Sequence, residues 1–130
     1  MEGKIDGKKK ILIVDDQTVN LGFLEKHFSK MGFVVEKAED GVEALERLES
    51  FFPDVILLDN IMPRMTGHEL VKILKNNPKY NKIPIVIFSA SDNPGEKADC
   101  LALGVEDYII KPINLSNLQE RIMAVVNREE

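Results

Sequence analysis

Three aspartates directly follow two short apolar segments of the sequence. Asp15 and Asp16 come after the apolar run at residues 11–14, and Asp59 comes after the run at residues 55–58. Four apolar residues bounded by polar ones are typical of strands that are buried on both faces of a parallel sheet. Because open α/β sheets bind their ligands at the carboxyl ends of the strands, we expect the three carboxylates to converge at one edge of the sheet.

Converging carboxylates repel one another, so their proximity requires a cation or a chemical role that offsets the repulsion. Ligation by oxygen alone, with no His or Cys cluster nearby, favours Mg²⁺ over zinc or copper. Mg²⁺ usually binds one or two carboxylates and completes its coordination with water and substrate phosphate. The three acids therefore predict a Mg²⁺ site that acts on a phosphate group.

Composition limits the classes of protein to which the chain can belong. Its 130 residues suit one domain, and 17 basic against 22 acidic residues give a net charge of −5, which argues against a nucleic-acid surface built on charge. The apolar runs are much shorter than the roughly 20 residues of a membrane span, and the lysine-rich N-terminus lacks the apolar core of a signal peptide. We therefore expect a cytoplasmic protein.

The single cysteine, Cys100, has no disulfide partner and is interpreted as a packing residue on a helix.

Apolar periodicity predicts five strands that alternate with five helices. The strand-like runs begin near Ile11, Phe33, Val55, Ile85 and Tyr108. The helical patterns between and after them are Leu21, Leu24, Phe28 and Met31; Leu45, Leu48 and Phe52; Leu70, Ile73 and Leu74; Ala98, Leu101, Ala102 and Val105; and Leu115, Leu118, Ile122 and Val125. Gly32 and Gly104 are expected to end helices in the left-handed conformation. This alternation predicts one (βα)₅ unit over residues 10–127, with tails at residues 1–9 and 128–130.

Four separated motifs occur in order along this unit. They are Ile-Val-Asp-Asp at residues 13–16, Leu-Asp-x-x-Met-Pro-x-x-x-Gly at residues 58–67, an apolar strand ending in Ser-Ala at residues 85–90, and Asp-Tyr-x-x-Lys-Pro at residues 107–112. Together they resemble the receiver domain of response regulators in bacterial two-component signalling, from about residue 10 to residue 126. The resemblance implies a doubly wound, five-stranded parallel sheet with the flavodoxin-like strand order 2-1-3-4-5.

The resemblance also implies how a phosphoryl group is received. Asp59 would be the phosphoacceptor, and it would take the group from a phosphohistidine on a sensor histidine kinase or a histidine phosphotransfer protein. Asp15, Asp16 and Asp59 would hold Mg²⁺ together with the backbone carbonyl of Ile61. Lys111 would pair with a phosphoryl oxygen. Such a chain catalyses only its own phosphorylation and dephosphorylation.

The response to phosphorylation is implied in the same way. Ser89 would hydrogen-bond a phosphoryl oxygen, Tyr108 would change position with it, and the Lys111–Pro112 peptide would be cis. The fourth helix, fifth strand and fifth helix would form the surface that contacts a downstream protein, without nucleic acid or membrane. The chain would act as a monomer or as a phosphorylation-dependent dimer.

Three positions depart from the common pattern of the family. Asn60 replaces the usual apolar residue after the phosphoacceptor, and Ile61 and Ser91 occupy variable positions beside the site. These residues bear on the lifetime of the phosphoryl group and on which partner recognises it. Because an aliphatic Ile61 cannot orient water by hydrogen bonding, we expect slow hydrolysis.

Other functions remain open from sequence alone. An aspartate-nucleophile phosphatase would require Asp-x-Asp, whereas Asp15 and Asp16 are adjacent, and a nucleotide- or flavin-binding module would require a Gly-rich or hydroxyl-rich loop after the first strand. The chain could also be the receiver excised from a longer regulator.

Simpler structural roles also remain open for individual residues. Asp15 or Asp16 could cap a helix, Lys111 could be solvated, and Ser89 and Tyr108 could only cap and pack. The remaining candidates, which are expected to have surface or packing roles, are His27, His68, Met62 and Met65.

Overall fold

The computed structural model describes residues 8–62, 64–112 and 114–127. The elements are β1 (Lys10–Val14), α1 (Thr18–Lys30), β2 (Val34–Ala38), α2 (Gly41–Leu48), β3 (Val55–Leu58), α3 (Gly67–Lys75), β4 (Ile85–Ser89), α4 (Pro94–Leu103), β5 (Asp107–Ile110) and α5 (Leu115–Asn127). The alternation of five strands and five helices is confirmed. The tail predicted at residues 1–9 lies outside the described residues except for residues 8 and 9, and so does the tail at residues 128–130.

The five strands form one parallel sheet in the order β2-β1-β3-β4-β5, as the family resemblance implied. Val14 and Leu58, the last residues of β1 and β3, are paired. The next residues, Asp15 and Asp59, therefore leave the sheet side by side at the same edge. Ser89 pairs with Ile110 at the end of β4 and β5. This register places the predicted site residues along one edge of the sheet.

Alternation along the central strands divides the core into two layers. Leu12 and Leu58 belong to a cluster that includes buried residues of α2, α3 and α4. Ile13 and Leu57 belong to a second cluster with buried residues of α1 and α5. Because each face of the sheet is covered by helices, β1 and β3 are apolar at almost every position. The sheet is therefore doubly wound, as expected.

Several helix boundaries follow from local chemistry. Gly32 and Gly104 have φ values of 100° and 105°, which confirms the left-handed conformation expected after α1 and α4. Thr66 and Glu69 form a capping box that starts α3. Asp40 caps α2 by accepting a hydrogen bond from the backbone N–H of Glu43.

The predicted inner face of the fourth helix is wrong. Ala98, Leu101 and Ala102 of α4 are exposed, and the fully buried residue is Cys100. The helix carries small and apolar residues on more than one side, and only the side with Cys100 and Leu103 packs against the core. The prediction that Cys100 packs on a helix is confirmed.

Two smaller predictions of helical packing are also wrong. The second helix ends at Leu48, so that Phe52 lies beyond it, with 52% of its surface exposed. In α3 the core position belongs to Val71, while Ile73 is 40% exposed. In both cases an apolar residue fell at helical spacing but outside the surface that the sheet covers. Among the described residues, no helix combines the length and apolarity needed to cross a membrane.

Candidate functional site

The three aspartates named from the sequence converge at the carboxyl ends of β1 and β3. One carboxylate oxygen from each of Asp15, Asp16 and Asp59 lies within 4.8 Å of the other two. Asp15 and Asp59 are buried, whereas Asp16 is exposed. The expectation that these acids meet at one sheet edge is confirmed.

Local backbone groups orient two of the carboxylates. Oδ1 of Asp15 accepts a hydrogen bond from the N–H of Gln17 at 2.9 Å, and Oδ1 of Asp59 accepts one from the N–H of Ile61 at 3.1 Å. The N-cap position of α1 is Gln17, and the start of this helix has no side-chain cap. Neither Asp15 nor Asp16 therefore acts as the helix cap that the sequence left open. The Oδ2 atoms of the two buried aspartates remain for other partners.

Lys111 places its ammonium group between those Oδ2 atoms. Its Nζ atom lies 3.2 Å from Oδ2 of Asp15 and 3.8 Å from Oδ2 of Asp59. The same ammonium group lies 5.1 Å from the ring centroid of Phe88, within the range of a cation–π contact. Lys111 is thus a member of the acidic site and not a solvated surface lysine. No pattern in the sequence predicts the contact between Lys111 and Phe88, because it depends on the packing of β4 beside the end of β5.

Burial makes the charged form of Asp59 costly. Burial is the main cause that raises the pKa of Asp59 above its ordinary value, and the negative charges of Asp15 and Asp16 act in the same direction. The Ile61 N–H and the Lys111 ammonium oppose this rise in pKa without cancelling it. An added cation would favour the ionised carboxylates, and an all-oxygen donor set matches the ligands that Mg²⁺ prefers. The residues present therefore fit the predicted metal.

Ser89 and Tyr108 lie on one side of this acidic group. Ser89 is fully buried, its carbonyl accepts a hydrogen bond from the Lys111 N–H at 2.8 Å, and its Oγ accepts one from the Ser91 N–H at 3.3 Å. Tyr108 is 2% exposed, and its hydroxyl donates to the Ser91 carbonyl oxygen at 3.2 Å. Tyr108 is therefore turned inward and is bonded to the loop that follows Ser89.

The loop between β3 and α3 approaches the phosphoacceptor candidate closely. A Cβ atom on Gly67 would lie 2.6 Å from the Asp59 carbonyl oxygen and 2.7 Å from Cα of Asn60, so this position requires glycine. The side chain of Asn60 accepts a hydrogen bond from the His68 N–H at 2.9 Å. Asn60 therefore supports the start of α3, which is a structural role for a residue that departs from the common pattern.

Other predictions about single residues have clear outcomes. The Lys111–Pro112 peptide is cis, as expected. Met62 is buried, and Met65 packs against the core, which confirms their interpretation as packing residues. The Ile61 side chain is 56% exposed beside the acidic group.

Comparison with known proteins identifies the family. Residues 11–123 match the model of the family described as the response regulator receiver domain. The chain belongs to the receiver-domain family. The receiver is 40% identical over 117 residues to the Regulator of RpoS of Escherichia coli (strain K12), and this match covers 89% of the chain and 34% of that protein. It is 38% identical over 119 residues to the Response regulator MprA of Mycobacterium ulcerans, covering 92% of the chain and 50% of that protein.

Solved structures agree with this assignment. The receiver is similar to the chemotaxis protein CheY4 of Vibrio cholerae, with 32% identity, a TM-score of 0.86, and coverage of 92% of this chain and 99% of that one. It is also similar to the receiver domain of the sensor histidine kinase PA1611 from Pseudomonas aeruginosa PAO1, with 26% identity, a TM-score of 0.83, and coverage of 93% and 99%. That structure is described as having a magnesium ion coordinated in the active site cleft. The receiver spans a third to a half of the curated relatives it matches here.

Proposed function

We propose that this receiver is a phosphorylation-activated switch in which Asp59 accepts a phosphoryl group from a phosphohistidine, with Mg²⁺ as cofactor. The observation that carries the proposal is a buried Asp59 whose Oδ2 lies 3.8 Å from the Lys111 ammonium, within a group of three converging carboxylates. Burying a carboxylate beside two other acids costs free energy, and a chemical role for that carboxylate offsets the cost. Phosphoryl transfer supplies such a role.

The arrangement of Asp59 selects the attacking atom. Oδ1 is held by the Ile61 N–H, and Oδ2 faces Lys111, so Oδ2 is the atom that would attack phosphorus. The new bond joins Oδ2 to phosphorus, the bond between phosphorus and the donor imidazole nitrogen breaks, and the imidazole leaves with the electron pair. Lys111 stabilises negative charge on the transferred group. Asp15, Asp16, Asp59 and the Ile61 carbonyl would hold Mg²⁺, which would supply positive charge near the transferred group.

The network around Ser89 supports a switch. Oγ of Ser89 is bonded to the Ser91 N–H, and Tyr108 holds the carbonyl of the same Ser91. A phosphoryl oxygen on Asp59 would accept a hydrogen bond from the Ser89 O–H, and a shift of Oγ toward it would act on the Ser91 backbone through the N–H that Oγ accepts. Tyr108 would respond to that movement because its hydroxyl is bonded there. Phosphorylation is thereby linked to the segment that leads into α4.

Exposed apolar side chains lie in the first half of α1, the helix that follows Asp15 and Asp16. Val19 and Phe23, four residues apart on α1, are 82% and 58% exposed. Phe23 also lines a cavity of about 380 Å³ together with Phe88, Lys111 and Leu115. Because Lys111 contacts the acidic group, this apolar surface is continuous with the site. We assign it to contact with a histidine kinase or histidine phosphotransfer protein.

A second apolar surface supports signalling to a downstream protein. Leu101 on α4 is 43% exposed, Ala98 and Ala102 beside it are exposed, and Ile110 at the end of β5 is 38% exposed. These residues lie beyond the loop that Tyr108 holds. The expected output surface of α4, β5 and α5 therefore offers apolar contacts to a partner or to a second copy. The receiver would signal downstream through that contact.

The proposed chemistry is tested by phosphorylation with acetyl phosphate and Mg²⁺, read by intact mass. We expect one base-labile phosphoryl group, which is absent from Asp59→Asn and strongly reduced in Lys111→Ala. Glu120→Gln is the matched control, because it removes one exposed carboxylate on α5. Phosphorylation that persists in Asp59→Asn would contradict the assignment. Catalytic turnover without a stable adduct would indicate a phosphatase.

The proposed donor surface is tested with the same readout and two different donors. Phe23→Ala should slow phosphorylation by a cognate phosphorylated kinase, because it removes an exposed contact residue. It should leave phosphorylation by acetyl phosphate unchanged, since the small donor needs no protein surface. An equal effect on both donors, or none on either, would argue against this surface.

A further inference from the structure

An ion pair outside the acidic group joins the loop after Asp59 to the start of α2. Nε of Arg64 donates to Oδ2 of Asp40 at 2.9 Å, and its Nη2 donates to the same oxygen. The Asp40 side chain is 9% exposed, whereas that of Arg64 is 62% exposed. The Glu43 N–H, and then the Arg64 guanidinium, hold the pKa of Asp40 below its ordinary value against the effect of burial. The pair is therefore charged at neutral pH.

The backbone of Arg64 is held in an uncommon conformation. Its φ is 66°, which makes it the one non-glycine residue with positive φ in the described part of the chain. The left-handed region costs an arginine roughly 1 kcal/mol, so the surroundings must maintain it. Next to it, a Cβ on Gly41 would lie 2.6 Å from the Met65 sulfur, so the loop also packs tightly against the first residue of α2. Two adjacent loop residues thus contact two adjacent residues at the α2 start.

The segment before α2 is in turn bonded to the other half of the acidic group. The backbone N–H of Asp15 donates to the Ala38 carbonyl at 3.1 Å, two residues before Asp40. Residues 38–41 therefore connect the segment that carries Asp15 with the loop that carries Ile61. The Asp59 N–H already joins the two acid-bearing strands by donating to the Val14 carbonyl at 2.9 Å, and the connection through residues 38–41 adds a contact to the loop beyond Asp59.

We propose that the Asp40–Arg64 ion pair positions the loop between β3 and α3 and thereby sets the affinity of the acidic group for Mg²⁺. Neither residue contacts the acids, so both are positioning residues. The inference rests on the proposed function, because it concerns the metal that Asp15, Asp16 and Asp59 would hold.

Two substitutions separate the ion pair from its neighbouring structural roles. Asp40→Asn retains a good helix cap for α2 but removes the charge that holds the guanidinium. Arg64→Asn retains a residue type that tolerates the left-handed conformation but removes the arm that reaches Asp40. Arg121→Ala is the matched control, because it breaks an exposed ion pair with Asp107, between α5 and β5, that does not reach the loop or α2.

The experiment measures Mg²⁺ binding to the complete chain by titration calorimetry and the melting temperature in EDTA. We expect Asp40→Asn and Arg64→Asn each to weaken Mg²⁺ binding by about 2- to 30-fold, the range for coupling through packed networks. The double variant should bind no more weakly than the weaker single one, because the two residues act as a unit. Arg121→Ala should bind Mg²⁺ as the wild type does.

The outcomes distinguish this inference from the proposed function. Wild-type affinity in both single variants would overturn it, even if their melting temperatures fall, because the pair would then only stabilise the fold. Losses that add in the double variant would also overturn it. A wild-type chain that does not bind Mg²⁺ would overturn the proposed function and this inference with it.

Discussion

Replacing Asp59 by Asn should stabilise the metal-free receiver while weakening its response to Mg²⁺. The nearest oxygens of Asp15 and Asp59 lie no more than 4.8 Å apart, and at that limit and an effective dielectric of about 20 the two carboxylates repel by about 3.5 kcal/mol. The exposed Asp16 is better screened and adds about 1 kcal/mol in a dielectric near that of water. Lys111, at 3.8 Å, attracts Asp59 by about 4.4 kcal/mol. These interactions nearly cancel, so the remaining cost is the desolvation of a buried carboxylate, on the order of 1–3 kcal/mol.

The effect should depend on pH in a defined direction. Burial raises the pKa of Asp59 above the ordinary value of 3.8, so the folded metal-free chain binds this proton more tightly than the unfolded chain. The stabilisation from this proton is complete below pH 3.8 and is lost as the pH rises through the raised pKa. The advantage of Asp59→Asn in free energy of unfolding should therefore be largest at neutral pH and shrink in acid.

Thermal unfolding followed by circular dichroism measures both effects. In EDTA at neutral pH, Asp59→Asn should melt several degrees above wild type, at about 4 °C per kcal/mol for a chain of this size. Mg²⁺ at 100 times its dissociation constant should add about 2.7 kcal/mol to the wild type and less to the variant. Glu120→Gln, an exposed exchange of the same kind, should change neither quantity. Equal melting in EDTA together with an equal response to Mg²⁺ would refute the reasoning.

Three further predictions concern the surroundings of the site. Gly67→Ala should lower the free energy of unfolding by about 1–3 kcal/mol, because its Cβ would lie 2.6 Å from the Asp59 carbonyl oxygen. Denaturant unfolding measures this loss, and an unchanged free energy would mean that the loop moves to relieve the clash. Beryllofluoride, whose fluorines stand in for phosphoryl oxygens, should change the NMR chemical shifts of amides in α4. Ser89→Ala should abolish this response while leaving phosphorylation possible. A response of wild-type size in the variant would exclude a switch role for this hydroxyl. Ile61→Asn should shorten the phosphoryl half-life by supplying a group that orients water, and an unchanged half-life would mean that water access is controlled elsewhere.

The acidic site could be predicted because its signal is local. A buried strand of a parallel sheet is a short apolar run, and the residue after the run must lie at the sheet edge. Asp15 and Asp59 each follow such a run directly, and Lys111 is the first residue after β5. The convergence of these residues therefore needed only the alternation of strands and helices, together with the right-handed crossovers of such folds.

The packing of α4 could not be predicted in the same way. Ala98, Leu101 and Ala102 have helical spacing, but spacing does not say which side of a short helix meets the sheet. The fixed points are the Asn93 cap and the left-handed Gly104, which set where the helix begins and ends on the sheet. With these ends in place, Cys100 is turned inward. An apolar stripe that is not needed for the core remains exposed, which is why the same residues can serve as a contact surface.

The loop between β3 and α3 also depends on contacts that leave no pattern in the sequence. Arg64 and Asp40 are separated by 24 residues, and neither lies in a periodic apolar segment. Their contact arises because α2 and α3 lie on the same face of the sheet, so that the residues that precede both helices meet above its edge. In the proposed site a cation held by the acids and the Ile61 carbonyl would contact the same loop. A change in the ion pair should therefore be measurable as a change in metal binding.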